Sequence, residues 1–140
     1  MSFREKSTWI TFLLLLVVFG YYFVSVVVQL VRPAHPHPNF FLMFLVLIII
    51  IVVMEVVLHA AAAARAPADA KAPADERDRL IALKAKRPAF FVLTISAFLA
   101  IAVAHLGIGM WPMLNAVLFA IWLGELTNYG AQLYFYRREA

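Results

Sequence analysis

Four apolar runs, separated by polar breaks of very different length, divide the chain: Ser7 to Val31, Asn39 to Ala64, Pro88 to Gly109 and Pro112 to Tyr136. Each meets the ~20 residues that a helix rising ~1.5 Å per residue needs to cross a hydrocarbon core of ~30 Å. The runs are continuous and do not alternate with a period of two, which predicts helices and not barrel strands. RPAHPHPN and GIGMWP are too short for anything but tight connections, so spans one and two, and spans three and four, are expected to form antiparallel hairpins. Residues 65–87 form a break long enough for a linker and a short helix of its own. The expected fold is all-α: a polytopic membrane protein, one domain over residues 1–140, with a four-transmembrane-helix bundle made of two helical hairpins. The first run follows Arg4 and Lys6 as a signal peptide would. It is about twice the length of a signal h-region and lacks a small-x-small cleavage site, so it is read as an uncleaved anchor.

Composition agrees with the pattern. Of 140 residues 65% are hydrophobic and 14% charged, with a mean hydropathy of +0.89, and a soluble domain has too little polar surface at that balance. The absence of cysteine excludes disulfides, iron–sulfur clusters and thiolate metal sites. A formal net charge of +4 and a pI near 9.7 do not argue for nucleic acid here, because loop cations in a membrane protein record insertion topology and contact with anionic lipid. Those cations are one-sided. Arg4 and Lys6, then Arg65, Lys71, Arg77, Arg79, Lys84, Lys86 and Arg87, then Arg137 and Arg138 all fall at one end of the bundle, and only Arg32 falls at the other. The positive-inside rule therefore predicts cytoplasmic termini and a cytoplasmic central loop. Trp9, Tyr134 and Tyr136 suit the inner interface, and Trp111 the outer one.

Within the central loop, AAAARAPADAKAPA reads as a semi-rigid Ala/Pro linker in which Pro67 ends the second helix. DERDRLIALKAKR then carries Asp75 and Glu76 at its start, Lys84 to Arg87 at its end, and an Asp75–Arg79 pair at i,i+4, the charge order that a helix dipole favours. Leu80, Ile81, Leu83 and Leu93 give it apolar surface to lie along the membrane before Pro88 opens the third span. Arg77, Arg79 and Lys84 are the candidate partner-binding residues of this segment; an ordinary solvated juxtamembrane helix is the other reading. The same block, running straight into a hydrophobic span of a short four-span chain, resembles a family of small predicted bacterial membrane proteins of unknown function. That resemblance implies a multi-pass protein of the bacterial inner membrane and brings no activity and no catalytic residues.

Chemistry inside the spans is sparse and concentrated on two glutamates. Glu55 and Glu125 lie in apolar sequence with no lysine or arginine within two helical turns, and an ionised carboxylate at such depth costs roughly 3 kcal/mol on insertion scales. Both are expected roughly 13 to 17 Å from the inner ends of their helices, in one layer, where two carboxyls in low dielectric do not both ionise. Glu55 and His59 share a helix face at i,i+4. Glu125, Asn128 and Gln132 form a polar stripe at i, i+3 and i+7, and Tyr22, with Tyr21 beside it, is the expected hydrogen-bond donor to one carboxyl. Ser96, Ala100 and Ala104 make a small-residue ridge suited to close packing.

These groups suit a proton relay or a cation site, or neutral hydrogen-bonded glue between helices. Glu55, His59 and Glu125 have metal-ligand chemistry, but a four-helix carboxylate centre pairs Glu-x-x-His from two helices, and no metal is expected. His59 and His105 lie about 18 Å apart by helix rise, too far for one haem. His35 and His37, with His105 at the same face, read as a proline-rich turn before they read as an outer metal or pH-sensing patch. The hydrolase, phosphate-loop, zincin and CxxC motifs are missing, so neither an enzyme nor a cofactor is expected. The expected function is a non-enzymatic accessory or regulatory membrane protein, surrounded by the lipid bilayer and bound to a protein partner or to copies of itself. The alternative is a small proton- or cation-coupled transporter acting as a dimer through Glu55 and Glu125. In size and span number it is similar to small multidrug exporters, whose key glutamate sits in the first span, where this chain has none.

Overall fold

The computed structural model describes residues 2–32, 39–73, 75–107 and 109–138. It is helical, with no strand among the described residues. Helix α1 runs Phe3–Val31, α2 Phe40–Arg65, the short α3 Pro67–Lys71, α4 Glu76–His105 and α5 Met110–Arg138, and all but α3 are long and apolar enough to cross a membrane. Side-chain caps set three starts: Ser2 accepts from the Glu5 N–H, Asn39 from Leu42 and Asp75 from Arg77. Ala66 leaves the helical region at φ −143°, and Pro67, with no N–H to satisfy, begins the next helix. Between α4 and α5 the chain reverses through Gly107 at φ 68° and Gly109 at φ 106°, backbone angles that residues with a Cβ rarely adopt.

Two local expectations are corrected. The charged helix and the third span are one element, since α4 passes through Pro88 without a break. Ile81 and Ala85, fully buried ahead of the proline, seat that part of α4 in the fold and so hold the axis through the turn that lacks an amide hydrogen. Nor does Asp75 form an ion pair with Arg79; its carboxylate is spent on the Arg77 amide at 2.7 Å.

Lipid tails are as apolar as leucine, so these helices are held by close packing and by polar contacts between them. Helices α4 and α5 pair most extensively. Ala100, from the small-residue ridge, and Ala120 are each 2% exposed, and Gly124 comes so near Leu93 that an added Cβ would sit 3.0 Å from the leucine Cβ. Helix α1 packs on α5 and on α2, whereas α2 and α4 share no packed face, so the bundle is open between those two. Its apolar centre lies toward the end that carries the short connections, where Tyr22, Phe23, Val26 and Phe40 are buried against Phe44, Trp111 and Trp122. Edge-on ring pairs such as Tyr22–Phe23 at 5.2 Å and Phe23–Phe119 at 5.1 Å fill it. Below that centre α1 widens into a π-helix over Leu15–Phe19. A wider turn exposes backbone carbonyl groups, and the indole N–H of Trp122 donates to the Leu15 oxygen at 2.8 Å.

Candidate functional site at the basic end of the bundle

Near the end that holds the termini and the central loop, α1 and α2 present matched polar pairs, each four residues apart and running antiparallel. Ser7 meets His59 and Thr11 meets Glu55. The Nδ1 of His59 lies 2.8 Å from the backbone oxygen of Glu55 and 3.1 Å from its carboxylate Oε2. A carbonyl and a carboxylate oxygen only accept, so Nδ1 carries the hydrogen and donates to both. Nε2 lies 2.7 Å from Ser7 Oγ, and Thr11 donates to Glu55 Oε2 at 3.2 Å. With a neutral imidazole Ser7 donates to Nε2; with an imidazolium Nε2 donates to Ser7. One proton thus reverses the direction of that bond and turns the His59–Glu55 contact into an ion pair.

The cluster is wet. Ser7, Thr11 and His59 line a cavity of about 430 Å³ together with Tyr129, Gln132 and Arg79. Its mouth is tied by contacts that join the N-terminus, α4 and the end of α5. Arg4 pairs with Asp78 at 3.3 Å, Tyr136 donates its hydroxyl to Asp78 at 3.0 Å, and Arg77 donates to the Tyr136 backbone oxygen at 3.2 Å. The Arg137 guanidinium lies over the Trp9 ring at 5.3 Å.

Among the residues singled out from sequence, Glu55 and His59 come together as their spacing implied. Tyr129, one turn beyond Glu125 on α5, lines the same cavity as His59. Glu125 itself is exposed on the open side of the bundle and has no hydrogen bond or ion pair among the described residues. Asn128 accepts from Gln132 Nε2 at 3.3 Å, and its own amide hydrogens have no acceptor there. Tyr22 does not reach the glutamates. Its hydroxyl donates to Asn115 Oδ1 at 2.8 Å beside Phe40 and Phe44, and Phe44 is about 16 Å from Glu55 along α2, more than the backward tilt of a side chain spans. Thr11 takes the place expected of it.

Arg77 is engaged with α5, Arg79 stands at the cavity, and Lys84 is exposed. His105 is exposed and turned onto its own helix through the Ile101 oxygen at 2.9 Å, while His35 and His37 lie outside the described residues. Sequence reading missed Ser7, Thr11, Tyr129, Asp78 and Tyr136. The signal for the first two was present as hydroxyls at i,i+4 on the face of α1, the same spacing as Glu55 and His59. No curated protein and no solved structure matches the chain. Residues 5–140, far more than the charged block alone, match the family described as predicted membrane protein (DUF2178), and this chain of four membrane-crossing helices belongs to that family.

Proposed function

We propose that the protein is a non-enzymatic integral membrane protein of the accessory or regulatory kind, multi-pass in a bacterial inner membrane with both termini cytoplasmic. In this reading the Glu55–His59 pair binds a proton, and its state governs the cytoplasmic surface that a partner protein meets. The observation that carries it is the hydrogen-bonded chain from Glu55 through His59 to Ser7, set inside spanning helices and opening into a cavity. Intramembrane ionisable groups are expensive and are kept where they do a job. Arg79 borders the same cavity, which puts proton binding next to the loop whose Arg77, Arg79 and Lys84 are the proposed docking residues. The test is infrared difference spectroscopy of the protein in lipid nanodiscs, taken from mildly acidic to mildly alkaline pH. Carboxyl and imidazole bands that change together in the wild type are the expected result, with the imidazole band moving to a different pH in Glu55→Gln and the Glu55 carboxyl band doing so in His59→Gln. A surviving band that titrates as in the wild type in either variant would refute the pair.

A second reading, a proton- or cation-coupled transporter, is favoured by Tyr129, which lines the cavity with Ser7 and His59 and lies one turn from Glu125 on α5. Its test is flux driven by a pH gradient in liposomes, abolished by Glu125→Gln.

A further inference from the structure

Glu125 presents a physical conflict that a single chain does not resolve. It lies 12 residues from Arg137, about 18 Å along α5 and so within the hydrocarbon, it is exposed, and nothing among the described residues bonds to it. No lysine or arginine stands in any of the four apolar runs, so no cation of this chain is available at that depth. Around it, Leu114, Ile121, Glu125, Asn128 and Gln132 occupy one face of α5, at i, i+7, i+11, i+14 and i+18. The face lies on the side where α2 and α4 leave the bundle open. It holds an acceptor that lacks a donor, Glu125, and donor hydrogens that lack an acceptor, those of the Asn128 amide.

We infer that this face of α5 is where a second copy of the chain docks, with each Glu125 carboxyl hydrogen-bonded by the Asn128 amide of the other copy. The occupant follows from the geometry. Two copies inserted with the same topology are related by a twofold axis along the membrane normal, and that axis brings each residue to the depth of its own equivalent. The unmatched donors and acceptor of the stripe, three residues apart, then meet across the axis in reciprocal pairs, flanked by Ile121 on one side and Gln132 on the other. The two Glu125 carboxyls approach as well, and with the Asn128 amides as donors the interface needs no cation. A foreign helix would have to supply the same pattern by chance; a copy supplies it by symmetry. Polar contacts of this kind are a main source of specificity between helices in lipid. The inference is independent of the proton reading of Glu55 and His59, and its failure would leave that pair untouched.

The chain has no cysteine, so single cysteines report cleanly. Leu114→Cys and Ile121→Cys, each in the full-length protein in native membranes, should form a disulfide-linked species of twice the chain mass under mild oxidation. Val53→Cys, exposed on α2 on the helix side opposite Glu55, should not. Adding Glu125→Leu or Asn128→Leu to Ile121→Cys should weaken dimerisation roughly threefold to eightfold, the worth of one to two intramembrane hydrogen bonds, while Glu125→Gln should retain it. Glu125→Leu also removes the exposed acid, so loss of cross-linking with the protein still well inserted is the signature of lost glue. Absence of cross-linking at both α5 positions, equal cross-linking at Val53, adducts of another mass, or dimers indifferent to both leucine variants would each overturn the proposal.

Discussion

Two hydrogen bonds of nearly equal length should differ severalfold in worth, because one is buried and the other borders a polar cavity, with the His59 side chain 30% exposed. Tyr22 donates to Asn115 at 2.8 Å with the two residues 3% and 7% exposed. Ser7 and His59 approach at 2.7 Å on the wall of a cavity of about 430 Å³. Tyr22→Phe keeps the ring and its contacts with Phe23, Phe40 and Phe44, and removes only the hydroxyl. It leaves the Asn115 oxygen buried without a donor, a penalty of about 1–3 kcal/mol; intramembrane hydrogen bonds reach at most ~1.7 kcal/mol in measured cycles, so ~1.5 kcal/mol is expected. Ser7→Ala leaves His59 Nε2 facing space that water enters, and ~0.5 kcal/mol is expected. The assay is reversible unfolding in mixed micelles with increasing denaturing detergent, read by tryptophan fluorescence, since Trp111 and Trp122 both pack on the Tyr22 cluster. A double-mutant cycle of Ser7→Ala with His59→Gln, and one of Tyr22→Phe with Asn115→Ala, removes effects not shared by the pair. Equal coupling energies, or a larger one for Ser7, would show that the cavity is dry and that the proton-accessible site is misread.

Two more variants probe what joins the helices. Gly124→Ala should cost about 1–2 kcal/mol in the same assay, because its Cβ would press 3.0 Å from Leu93 Cβ and 3.6 Å from Leu93 Cα, whereas Gly130→Ala meets only the Phe12 ring edge at 3.3 Å and should cost less than about 1 kcal/mol. Asp78→Asn should destabilise more than Arg4→Gln, since Asp78 serves both Arg4 and Tyr136 while the Arg4 pair, with side chains 44% and 17% exposed, is worth only about 0.2–1 kcal/mol; added salt should shrink the Arg4 effect and spare the Tyr136 one.

The spans were legible because hydropathy over twenty residues leaves a helix little alternative in lipid, and the Glu55–His59 face was legible because i,i+4 spacing is a property of one helix. What crosses between helices was not. Whether Ser7 or Tyr22 reaches the α2 polar face depends on the rotation and height of α1, and those are set by aromatic packing far from Glu55 and by the π turn at Leu15–Phe19, for which the sequence LLVVF gives no sign. Tyr22 was misplaced for that reason: its depth was read with a side-chain tilt, while Phe40 and Phe44 hold it toward the other end. Pro88 misled in another way. A proline marks a boundary by local rule, and the burial of Ile81 and Ala85 overrode it. The exposure of Glu125 was beyond sequence reading altogether, because an amphipathic label cannot say which face of α5 its neighbours leave bare.

Helix α2 is seated on the rest of the molecule at two places, an aromatic one at Phe40 and Phe44 and a polar one at Glu55 and His59, about 22 Å apart from Phe40 to Glu55. Along the stretch between them, Ile49, Ile50, Val52 and Val53 are exposed, and Ile48 and Ile51 are half-buried. Mechanically this is a beam on two bearings. The aromatic bearing is built from rings, and the polar one from a carboxyl, an imidazole and two hydroxyls. Weakening the second alone turns the first into a pivot, and the free end of the lever is the segment from His59 to Arg65 that leads into the central loop. If the Glu55–His59 pair binds a proton as proposed, that event would be converted into a tilt of α2, with the largest travel at the basic end of the bundle.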